Sequence, residues 1–203
     1  MNGARAYHHG DLRAAMLDVA LATLEELGPQ GLTMREVARR TGVSHAAPYR
    51  HFADRDQLIV AVVEQGFSLL EATMAEHRAA ADDDPLSQFT AGGFAYFSFA
   101  FRYPAYYRVM FSGDLLSASG AESLQHTGTT AIRQIAADIE VCQRLGLLKP
   151  GDPMLQALAL TSTMHGYVTL VIDNRVQYLL GEKYSKEQLI QFAMSSIIEG
   201  IGV

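Results

Sequence analysis

Residues 33–52 read "TMREVARRTGVSHAAPYRHF". Thr33 with Glu36 three residues later is the signature of a capping box, so a helix starts after Thr33. Gly42 supplies the left-handed residue that stops it. Ser44 then reads as the cap of a second helix reaching about His51. Ala38 is small enough for two helices to approach. Val37, Val43 and Phe52 can pack behind the turn. Two short helices joined by a tight glycine turn form a helix-turn-helix, whose second helix enters the DNA major groove. The leading end of that second helix is unusually bare. Ser44, Ala46 and Ala47 allow close approach to base edges, alanine methyls can meet thymine methyls, and His45 offers a ring nitrogen. Pro48 falls where a missing N–H costs little. Tyr49 and His51 are better placed for phosphates than for bases, so recognition should lean on backbone contacts and DNA shape.

Outward from this stretch, helix signals dominate. Leu12, Met16, Val19, Ala20, Leu24 and Leu27 recur at three- and four-residue steps, the stripe of an amphipathic helix ended by "GPQG" at 28–31. Asp54 with Gln57 opens a long helix over about 55–80, and "ADDDPL" (81–86) is a hinge. An aromatic-rich helix over about 86–102 breaks at Pro104, with a shorter helix through Met110. "SGDLLSASGAES" reads as a loop, and 122–146 as helix. "KPGDP" (149–153) precedes a long apolar segment to about Leu180. Ser185 with Gln188 caps a last helix to about Gly200. The expected fold is all-α with about nine helices. It divides into a helix-turn-helix domain over 1–54 and a helical ligand-binding and dimerisation domain over 55–203.

The chain has 203 residues, 49% of them hydrophobic, enough for a packed core. A lone cysteine, Cys142, excludes an internal disulfide and fits a reducing cytoplasm. The window 154–172 is apolar but carries Gln156, Thr161, Ser162, Thr163 and His165, which reads as a buried helix and not a membrane span. Net charge is −6, but residues 1–55 hold seven arginines against six carboxylates and four histidines. The acidity belongs to the remainder, which leaves nucleic-acid binding open to the head. That balance also disfavours an indiscriminate DNA-organising protein.

"GLTMREVARRTGVSHAAPYRHFADRDQLIVAVVEQGF" resembles the DNA-binding head of the TetR family of bacterial transcriptional regulators over about residues 8–70. The resemblance implies phosphate contacts from Thr33, Tyr49 and His51. It also implies one from Arg55, the basic residue opening the fourth helix, commonly lysine in the family. Pro48 departs from most members. "FAFRYPAYYRVMF" and "MHGYVTLVIDNR" resemble a subclass of the family's C-terminal domains that carries Trp-His-Gly where this chain has Met164-His165-Gly166.

Around that frame stand further candidates. Arg35 or Arg39 can grip a phosphate or face solvent, while Glu36 and Arg40 can pair at about 0.3 kcal/mol. "YHHGD" (7–11) reads either as a plain helix start behind an N-terminal arm or as an arm (Arg5, Tyr7, His8, His9) that touches the backbone or minor groove. It does not read as a metal site, because adjacent histidines diverge. An apolar ligand pocket is expected among Phe94, Phe97, Phe101, Tyr106, Tyr107, Met110, Met164, His165 and Val168. His165 reads either as a satisfied core histidine or as a ligand-facing donor. The apolar helices at about 153–180 and 185–200 suit a homodimer contact. No nucleophile–base set or phosphate loop points to an enzyme, and no cofactor or metal is called for. The expectation is a cytoplasmic, homodimeric regulator of a double-stranded operator, most simply a repressor released by an apolar or aromatic effector. An activator and a constitutive DNA-binding protein are the alternatives.

Overall fold

The structure, a computed structural model, describes residues 9–113, 122–181 and 183–202. The described residues form nine α-helices and one 3-10 turn. These are α1 (His9–Gly31), α2 (Met34–Thr41), the 3-10 turn Pro48–Arg50, α3 (Arg55–Ala80), α4 (Pro85–Arg102) and α5 (Pro104–Met110). They are followed by α6 (Glu122–Arg144), α7 (Pro153–Ile172), α8 (Arg175–Leu180) and α9 (Lys186–Ile201). Extended pairing among them is confined to an isolated bridge between Leu148 and Gly202. The all-α expectation holds. The expected arm of Arg5, Tyr7, His8 and His9 lies outside the described side chains, as does most of the expected 112–123 loop.

Two compact units emerge, one from Met1–Phe67 with Ala105–Leu124, the other from Ser68–Pro104 with Gln125–Val203. In the first, Met16, Leu17, Ala20 and Leu24 of α1 are buried, as are Leu32, Met34, Val37, Ala38 and Phe52. Leu27, expected on the buried stripe, is exposed. The reason lies next to it. Gly28 takes φ 68°, which breaks the helix at the expected place, and the chain re-forms one turn through Gly31. A β-carbon at Gly31 would collide with the Leu27 side chain. Later in the unit, Gly66 on α3 lets α5 come close, since a β-carbon there would sit 2.5 Å from Met110 Sδ.

In the second unit α4, α7 and α9 pack against one another. Their shared core contains Ala95, Phe97, Phe99, Met164, Val168, Ala193 and Met194. Caps fix the ends: Asp84 accepts from Leu86 N and Ser87 N, and Asp152 accepts from Met154 N and Leu155 N. Ser185 and Gln188 form the full capping box expected of them. By contrast, α7 is not the buried helix its sequence suggested. It buries Ala157, Leu160, Met164, Val168 and Val171, yet leaves Leu155, Leu158 and Leu170 exposed. Both α3 and α7 are long and apolar enough to cross a membrane by length and composition. Each also turns one face into its own protein core, the habit of a globular helix.

Candidate functional site

The Thr33–Phe52 stretch supplies its own scaffold. Thr33 Oγ1 accepts from Glu36 N at 3.1 Å, a cap worth about 1 kcal/mol. Only half of the expected box forms, because the Glu36 carboxylate is held elsewhere. At the other end Gly42 takes φ 75°. Val43 N donates to Ala38 O at 3.0 Å and Gly42 N to Arg39 O at 3.3 Å, closing the helix with a glycine-dependent cap. The tight turn read from Ala38, Gly42 and Val43 is therefore present.

The second helix is much shorter than expected. Instead of a helix over 44–51, the chain makes a turn at Ser44–Ala47 and a single 3-10 turn at Pro48–Arg50. Ala47 N donates to Ser44 O at 2.9 Å, Arg50 N to Ala47 O at 3.1 Å, and His51 N to Pro48 O at 3.0 Å. A continuous α-helix would need residue 48 to donate to Ser44 O, and proline has no N–H to give. Ser44 thus contributes its carbonyl, and no side chain caps the 3-10 turn. Pro48 is buried, which anchors the turn and leaves its neighbours outside. Ser44, His45, Ala46, Tyr49 and Arg50 are exposed, with Ala47 and His51 half-buried. Tyr49 is 58% exposed, an unusual surface position for an aromatic ring that no core needs.

Charge around this surface is unevenly committed. Arg39 grips Glu36 through both Nε (2.8 Å) and Nη2 (2.6 Å). Arg40 donates to Glu36 Oε1 and to Glu26 Oε2, each at 2.7 Å. Arg35 and Arg50 are exposed, and their side chains have no such partner among the described residues. Of the pair Arg35 or Arg39, the structure leaves Arg35 available. Arg50 was missed in the sequence, though it lies inside the motif beside Tyr49. Arg13 on α1 stacks over the Phe52 ring at 5.2 Å, a second unread cation. Arg55, expected on a phosphate, donates instead to Leu32 O, Pro29 O and Asp56 Oδ1.

Hydrogen bonds from Arg39 first, then Arg40, hold the Glu36 carboxyl at about 2, below its usual 4.5. A carboxyl lowered in the folded state stabilises above its unfolded value, and that contribution fades as pH falls through the folded one. Glu36→Gln is accordingly expected to be less stable than the parent chain at neutral pH. The gap should close between pH 4.5 and about 2. Denaturant midpoints of both proteins across that window check this; a gap constant with pH would contradict it.

The expected ligand-pocket residues divide between the two units. Tyr106, Tyr107 and Met110 are buried in the first. Phe94, Phe97, Phe101, Met164, His165 and Val168 belong to the second. Phe97, Met164 and Val168 are buried there, while Phe94, Phe101 and His165 are half-buried. Phe97 sits 6.4 Å from Phe101 and meets Tyr167 edge-on at 6.2 Å. The Tyr96 hydroxyl lies 3.2 Å from His165 Nδ1, and burial pushes the imidazole below its usual range, towards the neutral form. One turn earlier, Thr161 Oγ1 is buried without a hydrogen-bond partner. A groove of about 330 Å³ opens in the same unit between Val171, Val176, Leu180, Tyr184, Lys186 and Leu189. None of the expected residues lines it, although Lys186 Nζ stands 5.7 Å over the Phe101 ring. Its walls come from the ends of three helices, so no local motif announced it. Among the described residues no group of three or more His, Cys, Asp or Glu could hold a metal ion.

Comparison with known proteins places this geometry. Residues 16–62 match the family described as bacterial regulatory proteins, tetR family. Residues 89–196, more than half of the chain, match the tetracyclin repressor-like C-terminal domain. The transcriptional regulator BetI of Burkholderia thailandensis is 35% identical over 79 residues, 39% of this chain and 40% of BetI. The match thus spans less than half of that relative's length. A protein of unknown function from Rhodococcus sp. RHA1 is 29% identical, with 98% of this chain and 100% of that one covered, at a TM-score of 0.77. The ketosteroid transcriptional regulator KstR2 of Mycobacterium tuberculosis shares the fold at a TM-score of 0.73 and 18% identity, covering 94% and 95% of the two chains. With the glycine-closed α2 and the turn after it inside the first match, and the second match covering more than half of the chain, the chain belongs to the tetR family of bacterial regulatory proteins.

Proposed function

We propose that the protein is a cytoplasmic, ligand-responsive regulator that binds a pseudo-palindromic DNA operator as a homodimer and represses until a small molecule releases it. The observation that carries this reading is the exposed edge Ser44–Ala46 with Tyr49, raised on a buried proline and a glycine-capped helix. His45 meets a base edge, Ala46 and Ala47 line the groove, and Thr33, Arg35, Tyr49, His51 and Arg50 take phosphates. The functional division falls at 54/55, where the DNA-reading head gives way to α3. Because α3 runs through the boundary between the two compact units, it is the element through which an effector would bias the head. The effector region is placed around His165, Thr161 and Phe101 in the second unit, which suits an apolar ligand with one polar group. The unpartnered Thr161 hydroxyl supports it. The dimer contact is assigned to α7, α8 and α9.

Selection from random duplex DNA tests the reading. One enriched pseudo-palindrome is expected, and His45→Ala should relax the preference at a single base pair per half-site, costing about 1–3 kcal/mol of discrimination there. Tyr49→Phe should weaken all sequences alike. Weak, salt-sensitive binding with no enrichment would end the proposal. An operator affinity indifferent to every ligand that the second unit binds would remove its effector half.

A further inference from the structure

We infer that Arg55 is a positioning residue of the DNA-reading head, a clamp that sets Thr33 against the start of α3, and not a phosphate contact. This rests on the regulator reading above and changes the role of one of its residues. The argument begins with an electrostatic oddity. Arg55 is the first residue of α3, and a cation at a helix N-terminus faces the positive end of the dipole. Something must offset that. The break at Gly28 provides it, because the chain beyond turns the carbonyls of Pro29 and Leu32 out of regular helix. Arg55 Nη2 donates to Pro29 O at 2.6 Å and Nε to Leu32 O at 3.0 Å. Nη1 reaches Asp56 Oδ1 at 3.2 Å, which holds the guanidinium from its own helix.

The two carbonyls lie 26 and 23 residues back along the chain, so this one planar group ties the end of α1 and the α1–α2 connection to α3. Leu32 is also the residue before Thr33, whose hydroxyl caps α2. The clamp therefore fixes where Thr33 and the first turn of α2 stand relative to α3. Lysine keeps the charge but not the planar fork that addresses two divergent carbonyls at once. A phosphate contact and a clamp consequently make opposite forecasts for Arg55→Lys.

The experiment compares the full-length parent chain with Arg55→Lys and Arg55→Met. The affinity of each for the selected operator and for a random duplex of equal length is measured across a salt series. Both variants are expected to lose about tenfold on the operator, the worth of one charged hydrogen bond moved out of reach. Because Thr33 takes a phosphate, affinity for random duplex should fall as well, while the slope of log affinity against log salt should stay at the parent value. Arg55→Lys binding like the parent would overturn the clamp. So would a slope for Arg55→Met reduced by about 0.9, the mark of one lost phosphate contact. A lowered unfolding midpoint in both variants, with the DNA affinity of the folded protein at the parent value, would reduce Arg55 to a folding role and overturn positioning as well. If the parent chain selects no operator, the regulator reading fails by itself. Amide exchange then decides the clamp, with faster exchange over residues 28–34 expected in both variants and unchanged exchange overturning it.

Discussion

Replacing Leu158 and Phe192 together by arginine is expected to give a monomer that binds a full operator at least ~100-fold more weakly than the parent chain, the avidity normally supplied by a second linked half-site. Leu158 is 51% exposed on α7 and Phe192 is 70% exposed on α9, two helices that pack side by side in one unit. Leu155, Leu170, Tyr178 and Leu179 add to the same C-terminal elements, and Tyr178 and Leu179 are among the most exposed large side chains described. So many large apolar side chains exposed on neighbouring elements suit a contact with a second copy. Neither residue contributes to the buried core, so arginine there should leave the fold intact, as far-ultraviolet circular dichroism would show. Sedimentation gives the mass and operator titration the affinity. Retained dimer mass in the double variant would place the contact elsewhere. A monomer with undiminished operator affinity would sink the two-half-site reading instead.

What could be read from the chain beforehand follows the range of each interaction. Gly42, Thr33 and the Ser185–Gln188 box act over three to five residues, and the sequence alone located them. The break at Gly28 was visible for the same reason. Pro48 was recognised too, but a helix start was placed at Ser44, ahead of it. A proline is harmless only among the first helical positions, whose N–H has no partner in the helix. Counted from Ser44, residue 48 is the first that must donate, so the Ser44 carbonyl takes the Ala47 N–H of a tighter turn instead. Arg55 was out of range altogether, since its partners are carbonyls in a distant turn and backbone atoms carry no sequence signature. The aromatic cluster was legible as apolar but not as pocket or core, because both demand the same residue types. Only packing separates them. The groove near Tyr184 and Lys186 was invisible for the converse reason, being assembled from helix ends with ordinary composition.

That ambiguity is open to a direct measurement at Phe97. The side chain has no exposed surface and is enclosed by Tyr96, Phe101 and Tyr167, with ring centroids 6.2–6.5 Å away. Phe97→Ala is expected to destabilise the protein by about 3–5 kcal/mol, the lost transfer energy plus the cavity left between rings that cannot collapse fully. Denaturant unfolding at neutral pH reads this directly. A ring that merely lines an open binding site is already partly hydrated, and its removal enlarges existing space. Loss below about 1 kcal/mol would therefore assign Phe97 to a pocket wall. The two cases also part on ligand response. A cavity cut into a dry aromatic core should take up a small arene and recover part of the lost stability, as apolar engineered cavities do. Operator binding by the parent chain should be unmoved by the same arene. If the arene instead released the parent chain from its operator, the aromatic cluster would be the effector site itself, and Phe97 one of its contacts.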